Sequence, residues 1–311
     1  MILEIVLIIV SIAVVLWGAD RFTDGASGLA RHLKVSELVI GLTVVALGTS
    51  LPEFMVSFMS VLRGSSDMSV GNIIGSNVFN ILVIIGASAM MRSLKVERSL
   101  LARDLPICIA ASVLLAVFAF SNGLIARWEG LILAAFFCGY LFMAYRVALK
   151  DRKEAADVVV EDKNPLWKLI LLILLGMGAL VIGGRVLVDN AASVAREWGV
   201  SESVIGMTIL AAGTSLPELA TSVMAARKGS LGLAFGNVVG SNVFNIAFVI
   251  GTCSSIVPMS VTEITLVDWC MLVGSCLLVW LVAWSRRTIN FWEGLLLVLV
   301  YLTYLVSLLI G

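Results

Sequence analysis

Apolar residues in this chain gather in long runs, separated by short clusters of charge or of glycine and serine. A run of about 17 to 25 residues crosses the hydrocarbon of a bilayer as a helix. Runs of this kind lie near 2–19, 36–62, 70–91, 105–121, 128–146, 166–184, 203–226, 233–257, 264–284 and 291–310. They predict an all-α polytopic membrane protein with ten transmembrane helices. The one markedly polar connector, KDRKEAADVVVEDKN at 150–164, stops at Pro165 and leaves five spans on each side. The expected organisation is therefore 1–149, the connector 150–164, and 165–311.

Composition agrees with this pattern and removes other classes. The chain is 60% hydrophobic and 14% charged, with mean hydropathy +1.07, outside the range of a soluble domain. Its formal net charge is zero, which gives no reason to expect a nucleic-acid partner. No basic segment precedes the first run and Glu4 lies within it, so this run is expected to stay as a span, not to act as a cleaved signal. The five cysteines (Cys108, Cys138, Cys253, Cys270 and Cys276) have no paired metal-ligand spacing and read as buried, inert thiols. His32, the single histidine, sits among basic residues and reads as solvated or headgroup-facing. Alternate connections carry 17 and 4 of the 21 Lys and Arg residues. Because cytoplasmic loops retain positive charge, both termini are expected outside a cell membrane and the 150–164 connector in the cytoplasm.

Residues 36–86 and 201–251 align without a gap at an offset of 165, and 28 of the 51 positions are identical. The first copy reads SELVIGLTVVALGTSLPEFMVS and then GNIIGSNVFNILVIIG; the second reads SESVIGMTILAAGTSLPELATS and then GNVVGSNVFNIAFVIG. RWEGLIL at 127–133 and FWEGLLL at 291–297 extend the likeness. Five spans is an odd number, so the second copy enters the membrane in the opposite direction. Such inverted repeats place substrate sites at their interface near the midplane, often on interrupted helices.

The chemistry of the repeat centres on Glu53 and Glu218. Each lies inside an apolar span, where an uncompensated charge costs at least about 2.5–3.5 kcal/mol. No basic residue occurs within either span before Arg63 and Arg227 at the ends, so a bound cation is the expected partner. Pro52 and Pro217 precede the acids and remove a helix hydrogen bond, which is expected to free the carbonyls of Gly48 and Gly213 and of Thr49 and Thr214. Four-residue spacing puts Thr49, Glu53 and Ser57 on one helix face, and likewise Thr214, Glu218 and Ser222. In the next span Asn72, Ser76 and Asn80 form a similar stripe, matched by Asn237, Ser241 and Asn245. Interhelical hydrogen bonding is an equally weighted role for Asn72, Asn77, Asn237 and Asn242. Gly71 with Gly75, and Gly236 with Gly240, have the spacing that lets helices approach closely. Carboxylate, hydroxyl, amide and carbonyl oxygens, without sulfur or imidazole, suit calcium or sodium.

Paired GTSLPE and GNxxGSNxFNI segments in opposed halves resemble the repeats of the sodium/calcium exchangers of the cation/calcium antiporter superfamily. The resemblance implies a compact prokaryotic type of ten helices, in which helices 2, 3, 7 and 8 enclose the cation sites and helices 1 and 6 slide across them. It implies that Glu53 and Glu218 bind calcium and share sodium, with carbonyl help from Thr49 and Thr214. It makes Ser50, Ser215, Ser76 and Ser241 sodium ligands and sets Asn80 and Asn245 beside the central position. Some members have an aspartate where this chain has Asn245, and the amide weakens the case for potassium cotransport. The expected function is antiport of calcium against sodium by alternating access. Calcium/proton exchange through the same glutamates is the alternative, although members of that kind carry a further glutamate after the GN dipeptide, where Ile73 and Val238 stand here. A cation channel is less expected, and no recurring nucleophile and base suggests an enzyme. Calcium and sodium ions and the bilayer are the expected partners, no cofactor is expected, and the sequence is compatible with a monomer.

Overall fold

The computed structural model describes residues 2–154, 164–199 and 211–310. Among the described residues, the secondary structure is helical apart from four two-residue strands. Its helices are α1 (Ile2–Leu33), α2 (Glu37–Thr49), α3 (Leu51–Leu62), α4 (Ser66–Met91), α5 (Leu100–Ser121), α6 (Arg127–Glu154), α7 (Leu166–Glu197), α8 (Ala211–Thr214), α9 (Leu216–Lys228), α10 (Leu231–Ile256), α11 (Leu266–Arg286) and α12 (Phe291–Ile310). Among the described residues, eight helices are long and apolar enough to cross a membrane, and the bent pair α2–α3 makes a ninth. The expected span at 203–226 begins outside the described residues, and α8 and α9 are its remainder.

Several helices run past their apolar stretches. α1 continues through Asp20, Arg21 and Asp24 and stops only where Lys34 takes φ +57° and Val35 N–H donates to Ala30 O at 3.0 Å, a left-handed cap. α7 likewise extends to Glu197, well past 184. α4 and α10 form the centre of the molecule: 78% and 94% of their membrane-length windows are buried, against 22% for α1 and 17% for α12. The outer helices carry exposed Ile9, Leu174, Ile182 and Trp292, the apolar faces that lipid requires. Cys138 and Cys270 also lie on exposed faces; only Cys108, Cys253 and Cys276 are buried, which corrects the expectation for all five. A thiol is small and apolar enough to face lipid as readily as a core. His32 is exposed at the end of α1, as expected.

Close helix contacts depend on glycine. A Cβ on Gly236 would stand 2.7 Å from Leu38 O, and one on Gly240 would stand 2.6 Å from Leu42 O, so α10 crosses α2 at backbone contact. Gly18 and Gly25 of α1 meet α7 in the same way, at Gly176 O and Leu169 O. In the first copy, Gly71 would meet only Ile264 Cδ1 at 3.6 Å and Gly75 nothing within 4 Å; the segment matching 38–42 falls at 203–207, outside the described residues.

The strands cross-link the two halves of the chain. β1 (Leu94–Lys95) pairs antiparallel with β4 (Thr288–Ile289), and β2 (Leu124–Ile125) with β3 (Met259–Ser260). Glu129 and Glu293, from the two WEG segments, cap the turns before α6 and α12 by accepting from Ala126 N–H at 2.7 Å and Asn290 N–H at 2.8 Å. Gly240→Leu should destabilise the protein by about 1–3 kcal/mol through overpacking. Gly139→Leu, where nothing lies within 4 Å, should leave the melting temperature in detergent unchanged.

Candidate cation site

Two helix breaks position the acids. Ser50, with φ −85° and ψ 6°, separates α2 from α3, and Ser215, with φ −89° and ψ 8°, separates α8 from α9. Pro52 and Pro217 follow, and the helix restarts when Phe54 N–H bonds Ser50 O and Leu219 N–H bonds Ser215 O, at 3.1 and 3.0 Å. The interruption is thus a single residue in each copy, tighter than the unwound stretch expected from the sequence. At the first break the axis bends by 46°. Each break directs the next acid inward: Glu53 and Glu218 are both completely buried.

The acids are joined crosswise. Ser215 Oγ donates to Glu53 Oε1 at 3.0 Å, and Ser50 Oγ donates to Glu218 Oε1 at 2.9 Å. The other oxygen of each carboxylate, Oε2, has no hydrogen-bond partner among the described residues. The same is true of Ser76 Oγ and Ser241 Oγ, and of Asn80 Oδ1 and Asn245 Oδ1, all buried. These six oxygens form three pairs related by the 165-residue offset. Wide π-helical turns at Asn80–Ile84 and Phe244–Ile250 coincide with the asparagines, and such turns are frequent at functional sites. Among the described residues, no Lys or Arg forms an ion pair with either acid. Carboxylate, hydroxyl and amide oxygens left without partners in a buried interior are the kind of donor that hard cations take.

The two copies differ in their surroundings. Thr49 is buried and donates to Asn237 Oδ1 at 3.0 Å, while Asn237 Nδ2 donates to Ser222 Oγ at 2.8 Å and Glu218 O at 3.3 Å. Their counterparts Thr214 and Asn72 instead line a cavity of about 900 Å³ whose walls include Met68, Met177, Val188 and, towards one end, Arg185 and Asp189. Asn72 keeps the matching bond to its own neighbour, donating to Ser57 Oγ at 3.2 Å. Beyond the buried pair, Lys228 Nζ reaches Asp20 Oδ1 at 2.7 Å and Asp24 Oδ1 at 2.6 Å and ties α9 to α1.

A model of the sodium/calcium exchanger protein family matches residues 3–146 and 168–310. The chain belongs to that family. Its members are transporters, not enzymes. A protein called CaxA from Alkalimonas amylolytica is 37% identical over 83% of this chain and 82% of its own length. The sodium/calcium exchanger MaX1 of Methanosarcina acetivorans is 32% identical over 94% of each chain. Among solved structures, the sodium-calcium exchanger NCX_Mj, soaked with sodium and strontium, is similar with TM-score 0.84, 30% identity and 98% of each chain covered.

Of the ten predicted ligand residues, all but Thr214 are buried. The crossed bonds bring Ser50 to Glu218 and Ser215 to Glu53, and the turns that begin at Asn80 and carry Asn245 pack against the helices of Glu218 and Glu53, respectively. Thr49 is closed against Asn237, whereas Thr214 lines the cavity. Sequence reading missed the link from Lys228 to Asp20 and Asp24. Its available signal was the four-residue spacing of two acids just beyond an apolar run. Replacing either glutamate by glutamine removes a buried charge that lacks a protein partner. Glu53→Gln and Glu218→Gln should each raise the melting temperature of cation-free protein in detergent and lose the further rise that calcium gives the wild type.

Proposed function

We propose that this family member is a secondary active antiporter that exchanges calcium for sodium by alternating access, in ten transmembrane helices arranged as two inverted five-helix repeats. The observation that carries the reading is the crossed pair of serine bonds that joins Glu53 and Glu218 across the repeat, with one buried oxygen of each carboxylate left unpartnered among the described residues. Together the two carboxylates supply a charge of −2. One calcium ion neutralises it, and two or three sodium ions replace that ion in the same space. Occupancy by one kind excludes the other, and this exclusion couples the two fluxes. Glu53 and Glu218 hold calcium and share sodium; Ser76, Ser241, Asn80 and Asn245 add neutral oxygens. In this reading Ser50 and Ser215 change partners between a carboxylate and sodium, and Thr49 and Thr214 contribute main-chain oxygen. The described strand pairs, crossed serine bonds and matching helix breaks support the inverted repeat, because each has a counterpart in the other half.

Alternating access is supported by the unequal surroundings of the two copies. The excess of Lys and Arg on one set of connections places Lys228 on the cytoplasmic side and the Arg185 end of the cavity outside. The site is then approached from outside while Thr49, Asn237 and the Lys228 link close it below. Arg63, Arg185 and Asp189 stand 165 residues from Lys228, Asp20 and Asp24. Closing the outer side would therefore bring Arg63 towards one acid, Asp189, instead of two. Arg185 already pairs with that acid in an exposed contact of 3.7 Å. The inner link is the stronger of the two and favours the outward-open state.

Sodium-loaded vesicles containing the protein should take up calcium only while an outward sodium gradient lasts. Uptake driven by a proton gradient in sodium-free buffer would overturn sodium coupling in favour of calcium/proton exchange. Flux that neither saturates nor needs a counter-ion would instead indicate a channel. If three sodium ions exchange for one calcium ion, each cycle moves one net charge, worth about 2.3 kcal/mol per 100 mV, and an imposed potential should change the rate. Lys228→Met should loosen the inner closure. Faster deuterium uptake in α1 around Asp20–Ala30 is expected, with no change in α12.

A further inference from the structure

We infer that Asn77 and Asn242 are positioning residues that force the amide oxygens of Asn80 and Asn245 towards the cation, each acting on the asparagine of the opposite half. The inference rests on the exchange reading and concerns how this site presents oxygen instead of N–H. Asn77 Nδ2 donates to the main-chain oxygen of Asn242 at 3.3 Å, and Asn242 Nδ2 donates to that of Asn77 at 3.1 Å. A main-chain carbonyl can only accept, so these contacts settle which end of each amide is nitrogen. The free end of Asn77 and of Asn242 is therefore Oδ1, an acceptor. Asn245 Nδ2 donates to Asn77 Oδ1, and Asn80 Nδ2 donates to Asn242 Oδ1, both at 3.1 Å.

The relay leaves Asn80 Oδ1 and Asn245 Oδ1 without partners among the described residues, one helical turn from the unpartnered Ser76 and Ser241 hydroxyls and on turns that pack against the helices of Glu218 and Glu53. All four asparagines are at most 1% exposed, so bulk water cannot compensate a wrong orientation. Rotating Asn80 by half a turn would set its oxygen against Asn242 Oδ1, acceptor to acceptor. It would also point N–H groups at a cation. Two rigid backbone carbonyls, one in each central helix, thus determine the polarity of two side chains at the site. Asn77 and Asn242 touch no ion themselves. Their effect is specific and crossed: Asn242 governs Asn80, and Asn77 governs Asn245.

A merely structural role would act on both ligands alike, and a double-mutant cycle separates the two cases. Sodium-driven calcium uptake into vesicles is measured for Asn242→Ala, Asn80→Ala, Asn245→Ala and the two doubles that contain Asn242→Ala. Asn242→Ala should raise the calcium concentration for half-maximal uptake about tenfold while the maximal rate stays near wild type, with a lower melting temperature because the Asn77 carbonyl loses its buried donor. Added to Asn80→Ala it should cost less than about twofold more, because its target is gone; added to Asn245→Ala the two effects should multiply. Multiplication in both doubles, or a loss of maximal rate and melting temperature with half-saturation unchanged, would overturn the relay. Wild-type protein that shows no sodium-driven calcium uptake would overturn the exchange reading and the relay with it. Should the Asn242 variants fail to fold, Asn77→Ala with Asn245→Ala and with Asn80→Ala repeats the cycle in the other half with the expectations exchanged.

Discussion

Two buried carboxylates, with no basic partner among the described residues, are the constraint on which the rest of this structure depends. A buried charge left alone is among the most destabilising features a protein can hold. The surrounding architecture limits that penalty without removing it. Each acid follows a one-residue break, so the helix changes direction where the charge sits. Each accepts one hydroxyl hydrogen from the opposite half, and one oxygen per acid stays available. The most deeply buried helices, α4 and α10, carry further unpartnered neutral oxygens, on turns that pack against the helices of the two acids. A fully satisfied site would be stable and inert; this one is held short of satisfaction by its own symmetry.

That symmetry is exact in sequence at the ligands and broken in their surroundings. Thr49 and Asn237 are sealed against each other, whereas Thr214 and Asn72 face a cavity. The helices that flank the site, α1 and α7, meet through glycines at backbone distance. Close backbone approach of this sort sets the two helices against each other over much of their length. The polar link of Lys228 to α1 lies near the far end of that contact.

Much of this was legible in the sequence because the bilayer imposes strict rules. Apolar length located the membrane helices, and an internal acid such as Glu53 or Glu218 stands out where charge is otherwise absent. Four-residue spacing repeated at a fixed offset made Ser76, Asn80 and their counterparts candidates, and the family resemblance added Ser50 and Ser215. Other features follow from backbone geometry that hydropathy does not report. The overrun of α1 to Leu33 is set by a left-handed Lys34, and the π-helical turns at Asn80 and Phe244 leave no compositional trace. The single-residue break was anticipated in place but not in extent, since a proline removes one hydrogen bond whatever the chain does next. Asn77 and Asn242 were readable as interhelical donors, but which atoms they faced depended on the crossing of α4 and α10.

The strands at the ends of the helices have a consequence for assembly. β1 joins β4 and β2 joins β3, so each half lends a strand to the other, as two identical subunits do across a twofold axis. Each half is thereby held to the other by main-chain hydrogen bonds, which do not depend on the side chains that stand at those positions.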